Sequence, residues 1–187
     1  GDPCAYGCRG GGIFDFASET WGELPLDGAP PSHDFGSAVW TGTEWLLWGG
    51  EFFDETESGG RYDPRLARWS TMSAVGQPTP RKSFVYAWTG TELLVWGGLA
   101  DPVGSDVVLL SDGAAYNPEK DTWRPISSTG TPGRMPAPTS IWTGRKWLVT
   151  GRVGKNGVYD LQGGGIYDPN DDSWQPGNLA AAPDDPK

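Results

Sequence analysis

The chain has 187 residues, enough for a domain with its own core, and a formal net charge of −10. That acidity excludes nucleic acid, whose phosphates need a basic surface, and no apolar run is long enough to insert into a membrane as a helix. With 11 Trp, 29 Gly and 17 Pro and no sustained apolar period of 3.6, the composition excludes a helical bundle and points to short strands and tight turns.

The chain begins at Gly1 and reads as a processed product or an excised segment. Cys4 and Cys8 follow, in "CAYGC". Two readings stay open for them: free thiols in a loop, or a local disulfide that would place the protein in an extracytoplasmic or secreted setting. Two Cys and one distant His cannot complete a zinc site, so no metal and no cofactor are expected.

From Gly11 onward the chain repeats itself. One phrase reads "GGIFDFASETW" from Gly11, "GGRYDPRLARW" from Gly59, "GAAYNPEKDTW" from Gly113 and "GGIYDPNDDSW" from Gly164. In each, an aromatic residue stands seven positions before a Trp. A second phrase alternates with the first: "WTGTEWLLWGG" from Trp40, "WTGTELLVWGG" from Trp88 and "WTGRKWLVTGR" from Trp142. Repeats about 50 residues long mark stacked supersecondary units.

Each unit predicts four antiparallel strands. The first ends at the opening Trp, and a Thr-Gly turn leads into the second, which is apolar on both faces as a strand buried on both sides requires. The third ends at the Tyr. Asp63-Pro64, Asn117-Pro118 and Asp168-Pro169 then start turns, because Asp or Asn bonds nearby backbone and Pro presets φ. The fourth carries the closing Trp. Residues repeated in every unit serve packing, so Trp21, Trp40, Tyr62, Trp69, Trp88, Tyr116, Trp123, Trp142, Tyr167 and Trp174 are expected in the core. A twisted sheet with two apolar faces must stack on copies of itself, and radial stacking gives a β-propeller.

The double glycine, the Tyr-Asp-Pro and the Trp at this period resemble the kelch repeat, over residues 10 to 178. The resemblance implies an all-β chain of kelch-type propeller blades, each a four-stranded antiparallel meander. The expected division is 1–24 for the last two strands of a preceding blade, then blades at 25–74, 75–127 and 128–179, and a tail at 180–187. About three and a half blades make an incomplete ring or a fragment, whose partners would be the remaining blades of the same propeller or a second chain.

The spacing locates the variable part. From each closing Trp to the next opening Trp is 19 residues: Trp21 to Trp40, Trp69 to Trp88, Trp123 to Trp142. The length differences fall instead in the loops 51–58, 99–112 and 153–163. A fixed scaffold with variable loops on one face is a binding architecture. The first loop sets Glu51, Asp54 and Glu55 beside Phe52 and Phe53; the second sets Asp106 beside Leu109. These are the candidate contacts for a protein or glycan partner, against the alternative of a solvated loop covering the blade edge. Asn156-Gly157 reads as a hairpin turn.

Seven residues before each opening Trp stand His33, Arg81 and Met135, with Lys82 and Arg134 adjacent. The kelch resemblance implies that arginines here grip acidic groups, so His33, Arg81, Lys82 and Arg134 are the candidate ligand-binding residues. Arg holds a carboxylate by two parallel bonds. No phosphate loop, dinucleotide fingerprint or nucleophile elbow occurs, and no catalytic residue is assigned. Two function classes remain: a non-catalytic interaction scaffold, and an enzyme of the sugar-acid mutarotase kind acting on a carboxylated small molecule.

Overall fold

The computed structural model describes residues 11–30, 36–50, 59–100, 107–155 and 158–177. The chain divides into two compact units, Gly1–Ser73 and Ala74–Lys187. All regular structure among the described residues is β, and no helix there is long and apolar enough to cross a membrane.

In the first unit, β1 (Gly12–Asp15) pairs with β2 (Thr20–Glu23) as a two-stranded ribbon. A four-stranded antiparallel meander follows: β3 (Ser37–Trp40), β4 (Trp45–Trp48), β5 (Gly60–Asp63) and β6 (Arg68–Thr71). The second unit starts with β7 (Val85–Trp88) and β8 (Leu93–Trp96). A small ribbon of β9 (Leu99–Ala100) and β10 (Val108–Leu109) comes next, and β11 (Gly113–Asn117) and β12 (Thr122–Pro125) complete the sheet begun by β7 and β8. The last meander is β13 (Thr139–Trp142), β14 (Trp147–Lys155), β15 (Val158–Asp168) and β16 (Ser173–Pro176). Where sequence spacing reads a loop at 153–163, β14 and β15 continue as a ribbon, with a register shift between Gly151 and Val153. Residues 156–157 lie outside the described residues; their flanks, Lys155 and Val158, are paired.

The seven-residue aromatic-to-Trp spacing is a cross-strand pair. Tyr62 lies opposite Trp69, Tyr116 opposite Trp123 and Tyr167 opposite Trp174, with ring centroids 5.0 Å apart in all three. Such tilted pairs add roughly 0.5–1.5 kcal/mol to the area they bury. The turn between them forms as its residues require: Arg65 N donates to Asp63 Oδ1 (2.8 Å), Lys120 N to Asn117 Oδ1 (3.0 Å) and Asn170 N to Asp168 Oδ1 (3.1 Å). The Thr-Gly turns close alike, with Thr41 N, Thr89 N and Thr143 N each donating across the turn at 3.0 Å.

The closing Trp also holds the connection that runs in from the preceding strands. Trp69 Nε1 donates to Pro25 O (2.8 Å) and Trp174 Nε1 to Ser127 O (3.0 Å). A glycine at φ near +70° lies on each of these tryptophans: Gly28 on Trp69, Gly76 on Trp123 and Gly130 on Trp174. At Gly76 and Gly130 a Cβ would sit 3.1 Å from the Trp carbonyl oxygen, in a backbone conformation only glycine adopts cheaply.

The core of the second unit joins β7, β8 and β11 to β14, β15 and β16. Val85, Ala87, Leu94, Trp96, Trp147 and Trp174 belong to one buried cluster, with Trp142 packed against its margin. Trp96 and Trp174 approach to 5.7 Å.

Most of the expected core is enclosed: Tyr62, Trp69, Tyr116, Trp123, Tyr167 and Trp174 are buried, and Trp88 and Trp142 half-buried. Two expectations need correction. Trp21 is 73% exposed and Trp40 47% exposed. Both line a cleft between the β1–β2 ribbon and the β3–β6 sheet. The deepest indoles are Trp48, Trp96 and Trp147, on second strands that have neighbours along both edges.

Candidate functional site

Arg81 sits where the loop after β8 leaves and returns. Its Nε donates to Thr79 O (2.9 Å). Nη1 reaches Gly97 O (3.1 Å), Asp112 O (3.0 Å) and Asp112 Oδ1 (3.1 Å), and Nη2 reaches Asp112 Oδ2 (3.2 Å). The Arg81 side chain is fully enclosed while the Asp112 carboxylate is about half exposed. The expected two-bond grip on a carboxylate is present, but the carboxylate is the chain's own. The guanidinium has no open surface for a ligand; it staples the loop neck, whose strands also meet through Gly97 N to Asp112 O (2.9 Å).

Lys82 is half-buried, and its backbone makes an isolated bridge with Leu99 through bonds of 2.9 and 2.8 Å. Met135, the counterpart of Arg81 in the last sheet, is fully buried against Gly151, where a Cβ would lie 2.7 Å from its Sδ. Gly151 corresponds to Gly97, so guanidinium and thioether fill the same place. Arg134 is exposed beside it. His33, Glu51, Phe52, Phe53, Asp54, Glu55 and Asp106, and also Cys4 and Cys8, lie outside the described residues.

Beyond the neck, β9 and β10 carry the loop outward. Val107 is 54% exposed, Val108 is 40% exposed, and Leu109 is half-buried. Among the described residues, the loop thus has a stapled base with two exposed valines beside it.

The opposite turns carry ion pairs. The residue after each Thr-Gly-x turn is Glu44, Glu92 or Lys146. Arg61 forks onto Glu44 (Nε–Oε2 2.9 Å, Nη2–Oε1 2.8 Å), and Arg124 onto Glu92 (Nε–Oε1 3.1 Å, Nη2–Oε2 2.7 Å). In the last sheet the charges reverse, with Lys146 Nζ 3.5 Å from Asp168 Oδ2. The bonds to Glu92 raise the Arg124 pKa above the ordinary guanidinium value. Burial, then the bond to Asp172, raises that of the Tyr167 phenol, so it stays neutral. These groups brace the sheets, and sequence reasoning missed them. The signal available was the Glu, Glu, Lys series at one repeat position. Among the described residues no group of three His, Cys, Asp or Glu side chains could hold a metal ion.

A second feature lies in the first unit. Between the β1–β2 ribbon and the β3–β6 sheet is a cleft of about 410 Å³, lined by Phe14, Phe16, Trp21, Trp40, Trp45 and Tyr62 among others. Trp45 is 45% exposed and Phe16 87%. The lining carries no charged side chain.

No protein-family model matches the sequence, and no curated protein matches it. Among solved structures, one titled "Structure of YjhT", a propeller-type fold, is similar, with a TM-score of 0.62 at 16% identity. The match covers 81% of this chain and 52% of that one, so the chain spans about half the length of that structure. At this identity the likeness shows the fold alone. The chain is all-β, with the repeated four-stranded antiparallel sheets of an incomplete propeller-like fold.

Proposed function

We propose that the protein is a non-catalytic scaffold of kelch-type blades that presents variable, acidic loops to a protein or glycan partner. The observation that carries this reading is the loop between β8 and β11. A fully enclosed arginine holds its neck, and Val107 and Val108 stand exposed on its outer part. Ordering such a loop in advance lowers the entropy lost when a partner binds. The mutarotase-like alternative needs an arginine open to a carboxylated substrate; Arg81 is spent on Asp112, which leaves Arg134.

The test compares the native chain with a Val107→Asp/Val108→Asp variant on glycan and peptide arrays. Ligands retained by the native chain should bind the variant at least tenfold more weakly, at an unchanged unfolding midpoint. Binding that instead fails with Arg134→Ala, or interconversion of sugar-acid anomers by the native chain, would overturn the reading.

A further inference from the structure

We propose that the outer edge of residues 107–111 pairs, backbone to backbone, with an extended strand of a basic polypeptide; this rests on the loop-face reading and gives its partner a chemical class.

Along a strand, every second residue turns its backbone groups to the same side. Leu110 N donates to Gly98 O (2.9 Å), Asp112 O accepts from Gly97 N (2.9 Å), and Val108 lies opposite Ala100. Residues 108, 110 and 112 therefore face Gly97–Ala100. Val107, Leu109 and Ser111 turn their N–H and C=O groups the other way. Among the described residues no backbone bond meets them there: β10 pairs with β9 alone, and the far side of β9 is taken by Lys82.

The edge is open because the fourth strand stops short of it. Gly113, next in the alternation, has its outward carbonyl met by Ile126 N (3.0 Å) just past β12. The chain then leaves for the next sheet, where Ser127 N donates to Asp172 Oδ1 (3.0 Å). The third strand thus runs on toward the loop without a partner on that side. Edges are commonly blunted by lysine or proline. Residues 107–111 read Val-Val-Leu-Leu-Ser and carry neither. Such an edge adds a strand through main-chain bonds, while side chains of the guest lie beside Val107 and Leu109 on one face and Val108 and Leu110 on the other.

The charge of the occupant follows from the loop. Residues 99–112 include Asp101, Asp106 and Asp112 and no lysine or arginine. Of the cations at the neck, Arg81 is enclosed on Asp112 and Lys82 lies across β9 from this edge. A second copy would bring the same acidic loop and a net charge of −10, and is repelled. A strand flanked by lysines or arginines is attracted.

The probe is the fluorophore-labelled peptide KKVTVTVKK, with binding read by fluorescence polarisation and single amides by hydrogen exchange. The intact chain should bind it saturably. Protection should rise at Val107, Leu109 and Ser111 and stay as it was at Leu110, whose amide is already bonded. The acidic counterpart EEVTVTVEE should bind at least tenfold more weakly. N-methylation of one alternate set of peptide amides should weaken binding at least tenfold, and of the other set by much less. Leu109→Pro and Ser111→Pro each remove one outward N–H and no bond of the fold, so each should weaken binding at least tenfold at an unchanged unfolding midpoint. The methylated peptides test the same bonds on the unaltered chain. No binding, uniform protection across 107–112, or equal binding of the two methylated peptides would overturn the proposal. So would protection that rises with protein concentration alone, which would give the edge to a second copy. If array ligands lost by Val107→Asp/Val108→Asp bind both proline variants at full strength, the partner is held by side chains; pairing at this edge is then refuted and the loop-face reading stands.

Discussion

The hydroxyl of Tyr167 donates to the Asp172 carboxylate at 2.5 Å, and Tyr116 makes the same bond to Asp121. Both aspartates stand two residues before the closing Trp with left-handed backbone, at φ of 50° and 49°. In the β3–β6 sheet that place is Ala67, also left-handed at 46°. The buried Tyr62 hydroxyl accordingly has no bonding partner. An unpaired buried polar group costs about 1–3 kcal/mol, and Asp tolerates this backbone better than Ala. Ala67→Asp is expected to raise unfolding stability by about 1–2 kcal/mol in urea titrations. Ala67→Gly relieves the backbone alone; if it matches Ala67→Asp, the hydroxyl is not the source of the gain.

Two tryptophans at one repeat position should behave oppositely. Trp69 is buried, stacked on Tyr62 and bonded to Pro25 O. Trp69→Ala is expected to cost about 3–5 kcal/mol, as for a large aromatic lost from a core. Trp21, its counterpart in β2, is 73% exposed, and Trp21→Ala should cost less than about 1 kcal/mol. Chemical denaturation of both variants checks the contrast, and equal losses would show that the cleft is closed in solution.

The repeated turns make stability sensitive to acid. The Asp168 carboxyl lies below the ordinary value of 3.8, chiefly because the Asn170 backbone N–H bonds it. The Asp63 carboxyl is lowered too, first by the Arg65 side chain and then by its backbone N–H. A group with a depressed folded pKa stabilises the fold above its unfolded pKa, and that stabilisation is lost as pH falls through the folded value. Unfolding free energy is therefore expected to hold from pH 7 to about 5 and to fall below about 4. Asn117 forms the same turn without a titrating group. Asp168→Asn should keep the turn and flatten part of the acid slope; an unchanged slope would mean that this turn is not a source of it.

The strands and turns were legible because the repeat states the same physics several times. Tyr-to-Trp spacing is a cross-strand pair, and Asp-Pro is a turn whose side chain caps its own backbone. The connector is equally legible in Gly28-Ala29-Pro30, Gly76-Gln77-Pro78 and Gly130-Thr131-Pro132, seven residues after Trp21, Trp69 and Trp123. What a repeat cannot state is whether a neighbour is complete. Trp21 and Trp40 look like Trp69 and Trp88 in sequence, yet they are exposed at 73% and 47%, because burial depends on what packs beside a strand and the repeat does not encode that. Position before the opening Trp and the kelch resemblance point to Arg81 as a carboxylate clamp. Its partner, Asp112, lies 31 residues away across a loop whose closure only the β8–β11 pairing reveals.

That closure gives the last prediction. Arg81 joins Thr79 O, Gly97 O and Asp112 with an enclosed guanidinium, whereas the last sheet fills the same place with Met135. Arg81→Met keeps the volume and removes every bond. Three carbonyls, Thr79 O, Gly97 O and Asp112 O, then lose a donor, with Asp112 O still accepting from Gly97 N, while the Asp112 carboxylate is exposed enough to be solvated. The expected loss is about 1–3 kcal/mol, set by the carbonyls and not by an uncompensated buried charge. The change should act locally. Amides of Leu99, Ala100, Val108 and Leu109 should exchange faster and protease cleavage should concentrate within 99–112, while the β13–β16 amides keep their protection. If the loop amides stay as protected as before, Arg81 does not hold the neck, and the pre-ordering ascribed to this loop has another source.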